Sequence, residues 1–277
     1  MRITRLLALL LLLPTTSAAY AWGAKGHGVV AEIAERGLSP NVASQIRGLN
    51  FTAPLRDVAS LPDDWRAEET KELRPGDTGP LHYSNIPNDQ PTFDRARDCK
   101  DDQCVVAAIE KYSAVLKDKA QPRDKRREAL IYLVHFVGDL HQPMHAATGQ
   151  VRDETTGNMI PDRGGNQVKI RLLGVETNLH SAWDGLLVDW GPANVTEYAD
   201  YLMTSEMRGR SVEELQRGTP VDWINESHYA AVHDAYAIGN GTLGTEYAKK
   251  NIDVIYERLL RGGLRLRRVL EDALGAP

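Results

Sequence analysis

The sequence predicts an all-α protein, a single mostly helical domain with one short β-hairpin near residues 167–177. Three observations carry that prediction. Apolar residues recur near a 3.6-residue period along most of the chain. One stretch alone, Gln167 to Leu173 (QVKIRLL), reads as a strand, with Gly174 as the turn and a return strand through Thr177. No linker, repeat or low-complexity block divides the 277 residues, a length that one hydrophobic core can serve.

The first 21 residues stand apart from that domain. Arg2 and Arg5 make a basic n-region, Leu6 to Leu13 an apolar core, and Ala19-Tyr20-Ala21 a small-x-small cleavage site. The apolar stretch is shorter than the roughly 20 residues that span a bilayer. The reading is a cleaved signal peptide, 1–21, followed by a functional domain, 22–277, that begins at Trp22 and is secreted or periplasmic. An uncleaved anchor is the alternative.

Helices are expected at about 24–36, 41–48, 54–66, 104–118, 124–141, 178–189, 194–206, 211–217, 221–239 and 245–273. The 104–118 segment (CVVAAIEKYSAVLKD) sets its apolar positions on one face and Lys/Glu on the other. The 124–141 helix ends before Pro143, since a proline inside it would remove a hydrogen bond and clash. The last helix carries Ile252, Ile255, Leu259 and Leu260, and Gly262-Gly263 offer a kink before Leu264, Leu266, Val269 and Leu270 resume the stripe. The polar stretches 67–80, 86–103 and 148–165 read as surface loops. Cys99, within the second, and Cys104, just after it, lie five apart. A local disulfide after export is expected, with two unpaired thiols as the alternative.

The chemistry concentrates in Leu133 to Ala146, LVHFVGDLHQPMHA. His135 and Asp139 lie four apart on one helical face. Pro143 then frees His145 to point elsewhere. Asn178-Leu-His180-Ser-Ala-Trp-Asp184 repeats the His/Asp spacing. Any single His or Asp on a helix is more often an ordinary surface residue. Two such pairs among eight histidines instead point to a metal, zinc. His27, His82 after the Gly79-Pro80 turn, and Asp63 have contexts suited to ligation, with the adjacent Asp64 an equal candidate. Imidazole and carboxylate without thiolate is the donor set of catalytic zinc, although manganese and iron accept it too. Once freed by cleavage, the Trp22 α-amine and carbonyl can chelate an ion in a five-membered ring. His141 lies between two of these ligands and can donate to one of them, whereas His228 and His233 read as ordinary.

Net charge is −5, and removal of residues 1–21 takes away Arg2 and Arg5 and no acid, giving −7. Such acidity alone argues against a nucleic-acid partner. Three zinc ions would add about +6 where an anionic substrate sits, which makes the balance neutral evidence.

In this combination the chain resembles the S1/P1 nuclease family of secreted zinc enzymes over essentially all of its length from Trp22. The resemblance rests on Trp22-Gly-x-x-Gly-His27, Leu81-His82-Tyr83, His135-Phe-Val-Gly-Asp139-x-x-Gln142-Pro143-x-His145, Gly164-Gly165-Asn166 and Asn178-Leu-His180-x-x-x-Asp184. It implies the helical fold of the zinc phospholipase C and P1 nuclease type, with three zinc ions per chain. Asp63, His82, His135 and Asp139 would hold the first; His145, His180 and Asp184 the second; Trp22, His27 and a bridging Asp139 the third. Ser60-Leu61-Pro62-Asp63 departs from the Trp-Ala-Asp common in that family, so Asp63 is the least anchored of these assignments. The resemblance further implies hydrolysis of single-stranded DNA and RNA to 5′-phosphorylated products, and removal of 3′-phosphates from nucleotides. A zinc-bound hydroxide would attack phosphorus, with Asp63 and Asp139 acting catalytically through the metals and no protein nucleophile. Arg66, Asn85 and Asn166 are the expected substrate contacts. A monomer without stable membrane association is expected.

Two rivals differ in class. A zinc phospholipase C resembles the same architecture, but ends its last ligand motif in Glu where this chain has Asp184. A non-catalytic zinc-binding export protein would saturate its ions. Counting Trp22 and Asp139 twice, the nine ligands above supply about 11 positions where three four-coordinate zincs need about 12, so the sites stay open to water. Asn50, Asn194, Asn225 and Asn240 each begin an Asn-x-Ser/Thr pattern, which a eukaryotic secretory pathway can glycosylate.

Overall fold

A computed structural model describes residues 22–72 and 76–275, so the signal-peptide reading of 1–21 lies outside the described residues. In chain order the helices are α1 (Gly23–Arg36), α2 (Pro40–Gly48), α3 (Leu61–Thr70), α4 (Arg95–Asp98), α5 (Val105–Lys117), α6 (Arg123–His141), α7 (Leu179–Ser181), α8 (Val195–Tyr201), α9 (Val212–Leu215), α10 (Pro220–Ala230) and α11 (Thr245–Leu274). The mostly helical expectation holds.

Helix α6 is the axis of the molecule. Every residue from Ala129 to His141 is buried, so the polar His135, Asp139 and His141 within it must find partners inside the protein. It packs against α1, α5, α10 and α11, and α11 also packs along α1. Gly262 and Gly263 do not kink α11, which runs unbroken from Thr245 to Leu274. Their lack of a side chain is used for packing: a Cβ on Gly263 would stand 2.5 Å from Ile33 Cβ of α1.

Several expected helices are interrupted. The 54–66 segment divides into a 3₁₀ turn, Leu55–Asp57, and α3. Pro62 explains the break, because a residue without an amide donor fits only the first turn of a helix. The 178–189, 194–206 and 221–239 segments each begin as α-helix and then widen into π turns at Ala182–Leu186, Leu202–Glu206 and Ala231–Ala235. Such widening is favoured where a side chain must be re-aimed, and the first of these turns carries Asp184.

The expected hairpin is β3 (Lys169–Leu172) with β4 (Val175–Asn178), in register Lys169↔Asn178. Two further pairings were not anticipated. β5 (Thr242–Leu243) runs parallel to β3, and β1 (Gln150–Arg152) pairs with β2 (Met159–Pro161) inside the stretch read as a loop. Strands of two or three residues are too short to show alternation. The β1–β2 turn is instead closed by Asp153, whose carboxylate accepts from the Thr155 and Thr156 amides, and by Gly157 at φ +72°.

Candidate metal centre

Helix α6 presents His135 and Asp139 on its site-facing side, and five other segments meet them there. α1 brings His27, α3 brings Asp63, and the 3₁₀ turn Gly79–His82 brings His82. The turn Pro143–His145 supplies His145, while α7 and the π turn behind it supply His180 and Asp184. Three groups result, His27/His135/Asp139, Asp63/His82/His135 and His145/His180/Asp184. In each, the donor atoms lie within 4.8 Å of one another, and all these residues are buried. Asp63 thus belongs to a group, while Asp64 beside it is exposed.

Asp139 faces more than one group. Its Oδ2 lies 3.0 Å from His82 Nδ1 and 3.1 Å from His135 Nε2, and its Oδ1 lies 3.4 Å from His27 Nε2. This is the disposition of a bridging carboxylate. His135 likewise stands in two groups, where the sequence reading gave it one. In the third group His180 Nε2 lies 3.3 Å from Asp184 Oδ2. The backbone nitrogen of Trp22 is 3.2 Å from Asp184 Oδ1, its carbonyl accepts from the Gly26 amide at 3.0 Å, and its buried indole donates to the Gly138 carbonyl at 2.9 Å.

The residues fit a bound cation. Both ring nitrogens of His27, both carboxylate oxygens of Asp63, His82 Nε2, Asp139 Oδ1 and Asp184 Oδ2 are buried and make no hydrogen bond, although Asp63 Oδ1 is in ion-pair range of Arg66. Buried polar groups are seldom left so. Here most of the orphans converge on one place.

Other contacts orient the rings. His135 Nδ1 donates to the Ala59 carbonyl at 2.8 Å, His145 Nδ1 to His82 at 2.6 Å, and His180 Nδ1 to Gly164 at 2.7 Å. Each leaves Nε2 as the ligating nitrogen, the usual arrangement around a metal. The loop after His82 is zipped to the segment after His145, through Ser84 N to His145 O at 2.8 Å and Thr148 N to Ile86 O at 2.8 Å. Gly164 (φ +63°) is a glycine for a physical reason, since a Cβ there would meet the Met144 carbonyl at 2.4 Å. Gly138 leaves room for His27, whose Nδ1 would be 2.6 Å from an added Cβ.

Burial pushes His82 down to about 3, and His145 and His180 each to about 4. These are neutral imidazoles with free lone pairs. Burial acts the same way on His135, but the carboxylates of Asp139 and Asp63 outweigh it and carry His135 up to about 9. Burial opposes ionisation of Asp139, yet His135 and His145 hold its carboxyl well below the usual range; burial raises Asp63, and raises Asp184 further. Carboxyls and imidazoles crowded in a dry site in this way are relieved by a cation among them.

The expected substrate contacts divide. Arg66 Nη2 lies 3.1 Å from Asp63 Oδ1 at the edge of the cluster and is partly exposed. Asn85 is exposed three residues beyond His82. Asn166 gives one amide hydrogen to the Arg163 carbonyl at 2.9 Å, which leaves its second amide hydrogen and its side-chain oxygen for substrate. Cys99 and Cys104 form the expected disulfide.

His141 does not serve the ligands. Its Nδ1 donates to Val137 O in its own helix, and its Nε2 accepts from Arg265 of α11. Its place on α6 turns it toward the far side of the helix from the site. His228 is buried between the Ala146 and Gln90 carbonyls. Of the glycosylation patterns, Asn194 caps α8 and Asn225 accepts from the Phe93 amide, so both side chains have structural work.

Three supporting roles lie outside the sequence reading, which names Gln142 only as a member of the His135–His145 motif. Gln142 is buried and donates to Asp184. Asp162 is buried, accepting from the Gly165 amide and the Tyr236 hydroxyl, and so fixes the turn that holds His180. Gly138 was seen only as a letter between ligands. Membership of that motif is the signal the sequence holds for Gln142; its partner is not legible there.

Comparison with known proteins agrees with this geometry. The profile described as S1/P1 Nuclease matches residues 22–275. Similar proteins include Endonuclease 3 of Arabidopsis thaliana, 29% identical over 98% of this chain and 95% of that one. Nuclease P1 of Penicillium citrinum is 26% identical over 92% and 98%. Nuclease S1 of Aspergillus oryzae is 27% identical over 93% of each. The chain, from Trp22 through the last helix and with its metal-type cluster included, belongs to the S1/P1 nuclease family.

Proposed function

We propose that this protein hydrolyses phosphodiester bonds in single-stranded DNA and RNA, leaving 5′-phosphates, and removes 3′-phosphates from nucleotides, with three zinc ions bound per chain. The observation that carries the reading is the convergence of buried, unpartnered imidazole and carboxylate atoms around Asp139. Asp63, His82, His135 and Asp139 would hold one ion; His145, His180 and Asp184 a second; Trp22, His27 and Asp139 a third. When bound, zinc supplies Lewis-acid charge for phosphate oxygens and acidifies water.

The chain's own residues do the rest. Burial keeps the imidazoles of His27, His82, His145 and His180 neutral and ready to ligate. Arg66, at the rim and partly exposed, offers guanidinium donors to a phosphate. Asn85 is open to solvent beside His82, and the free carbonyl oxygen of Asn166 suits a base N–H. Strand selectivity follows from access, since a stacked duplex withholds its base faces from a cleft.

Cleavage before Trp22 and export to a secreted or periplasmic location complete the reading, supported by the disulfide. No helix among the described residues is long and apolar enough to cross a membrane. We take the working form to be a monomer. The test is metal content together with activity on single-stranded DNA, RNA, 3′-nucleotides and phosphatidylcholine in parallel. About three zincs per chain and oligonucleotide cleavage are expected. Hydrolysis of phosphatidylcholine alone would move the assignment to a phospholipase.

A further inference from the structure

Gln142 sits with no exposed surface between the end of α6 and the turn that carries His145. Its two amide atoms are committed in opposite directions. Oε1 accepts from the Met144 amide, closing the Pro143–His145 turn, and Nε2 donates to Asp184 Oδ1, 42 residues away. The Trp22 nitrogen approaches that same Oδ1, whereas Oδ2 is left unpartnered and faces His180 Nε2 at 3.3 Å.

We propose that Gln142 is a positioning residue for the ion held by His145, His180 and Asp184. By occupying Oδ1 it presents Asp184 through Oδ2 alone, and by closing the His145 turn it sets the distance between two ligands that lie far apart in sequence. An amide of this length does both, because the two tasks require an acceptor at one end and a donor at the other. The inference rests on the three-zinc reading above.

Gln142→Glu separates the tasks, because a carboxylate still accepts from Met144 but cannot donate to Asp184 and sets like charge against it. Zinc stoichiometry and competition against a chromophoric chelator are measured on the purified zinc-loaded protein. Wild type is expected to bind three equivalents. Q142E is expected to hold two at wild-type affinity and the third about 10–100-fold more weakly. Asp184→Ala should weaken the same ion, and the double variant Q142E/D184A should be no worse than D184A, which a general effect on folding would not produce. If Q142E does not fold, Gln142→Met fills similar volume without charge and carries the same expectation for the third ion. Three ions at wild-type affinity in Q142E or Q142M overturn the positioning role, and so does a further loss in the double variant. Wild type that binds fewer than three overturns the zinc reading itself, and this inference with it.

Discussion

The backbone nitrogen of Trp22 donates to Asp184 Oδ1 across 3.2 Å and 162 residues of sequence. That contact ties the residue before α1 to the carboxylate of the His145/His180/Asp184 group. It also makes the chemistry of that nitrogen consequential: an amide and a free amine are different ligands.

Protein beginning at Trp22 should therefore bind one more zinc than protein with a single added Met before it. The added residue converts the amine to an amide, whose nitrogen lone pair is delocalised and ligates poorly. Circular dichroism of the two should coincide, since the indole of Trp22 stays on the Gly138 carbonyl in both. Equal zinc content and equal nuclease rate in the two proteins would show that the terminus is not a ligand.

Asp139→Ala should be the most damaging ligand substitution, with nuclease rate down by at least about 100-fold and more than one ion lost. One carboxylate approaches His27 through Oδ1 and His82 and His135 through Oδ2, so its removal opens two groups together. Near-normal zinc content measured by elemental analysis in this variant would rule out the bridge.

Gly164→Ala should destabilise the protein by about 1–3 kcal/mol through backbone strain alone, and by more if the turn cannot move away from Met144. The Gly164 carbonyl also orients His180, so zinc affinity at that group should fall with stability. Denaturant unfolding and chelator competition on the same sample check both parts.

Away from the metals, Glu226 supplies a pH test. Burial raises its carboxyl, but Arg265 and Arg258 more than offset this and hold it at about 2, against an ordinary 4.5. A folded value below the unfolded one means the stabilisation is complete above about 4.5 and is lost as pH falls toward about 2. Glu226→Gln should lower the melting temperature at neutral pH, because it leaves the buried guanidinium of Arg265 without its charged partner. The gap between wild type and variant should close as pH falls from about 4.5 to about 2. A gap that stays constant across that interval would show that the ion pair does not set the effect.

By itself the sequence determined whatever depends on near neighbours along the chain. The spacing of His135 and Asp139 places both on one face, because helical geometry repeats within four residues. Pro143 stops α6 where a proline must. The alternation in QVKIRLL marks the hairpin, and the ordered ligand motifs identify the family. Tertiary structure decided what depends on segments meeting. Asp63 rather than Asp64 turns inward because α3, started by Pro62, packs that face on the cluster. His135 serves two groups because His27 arrives from α1 on one side and His82 from a loop on the other. His141, one turn beyond Val137, faces Arg265 instead of the ligands, and no local pattern reveals which side of a fully buried helix looks at a site. Gln142 acquires its partner only when the π turn after α7 brings Asp184 against it. A hydrogen bond across 42 residues leaves no periodic trace in the chain, since its energy depends on a distance that packing alone sets.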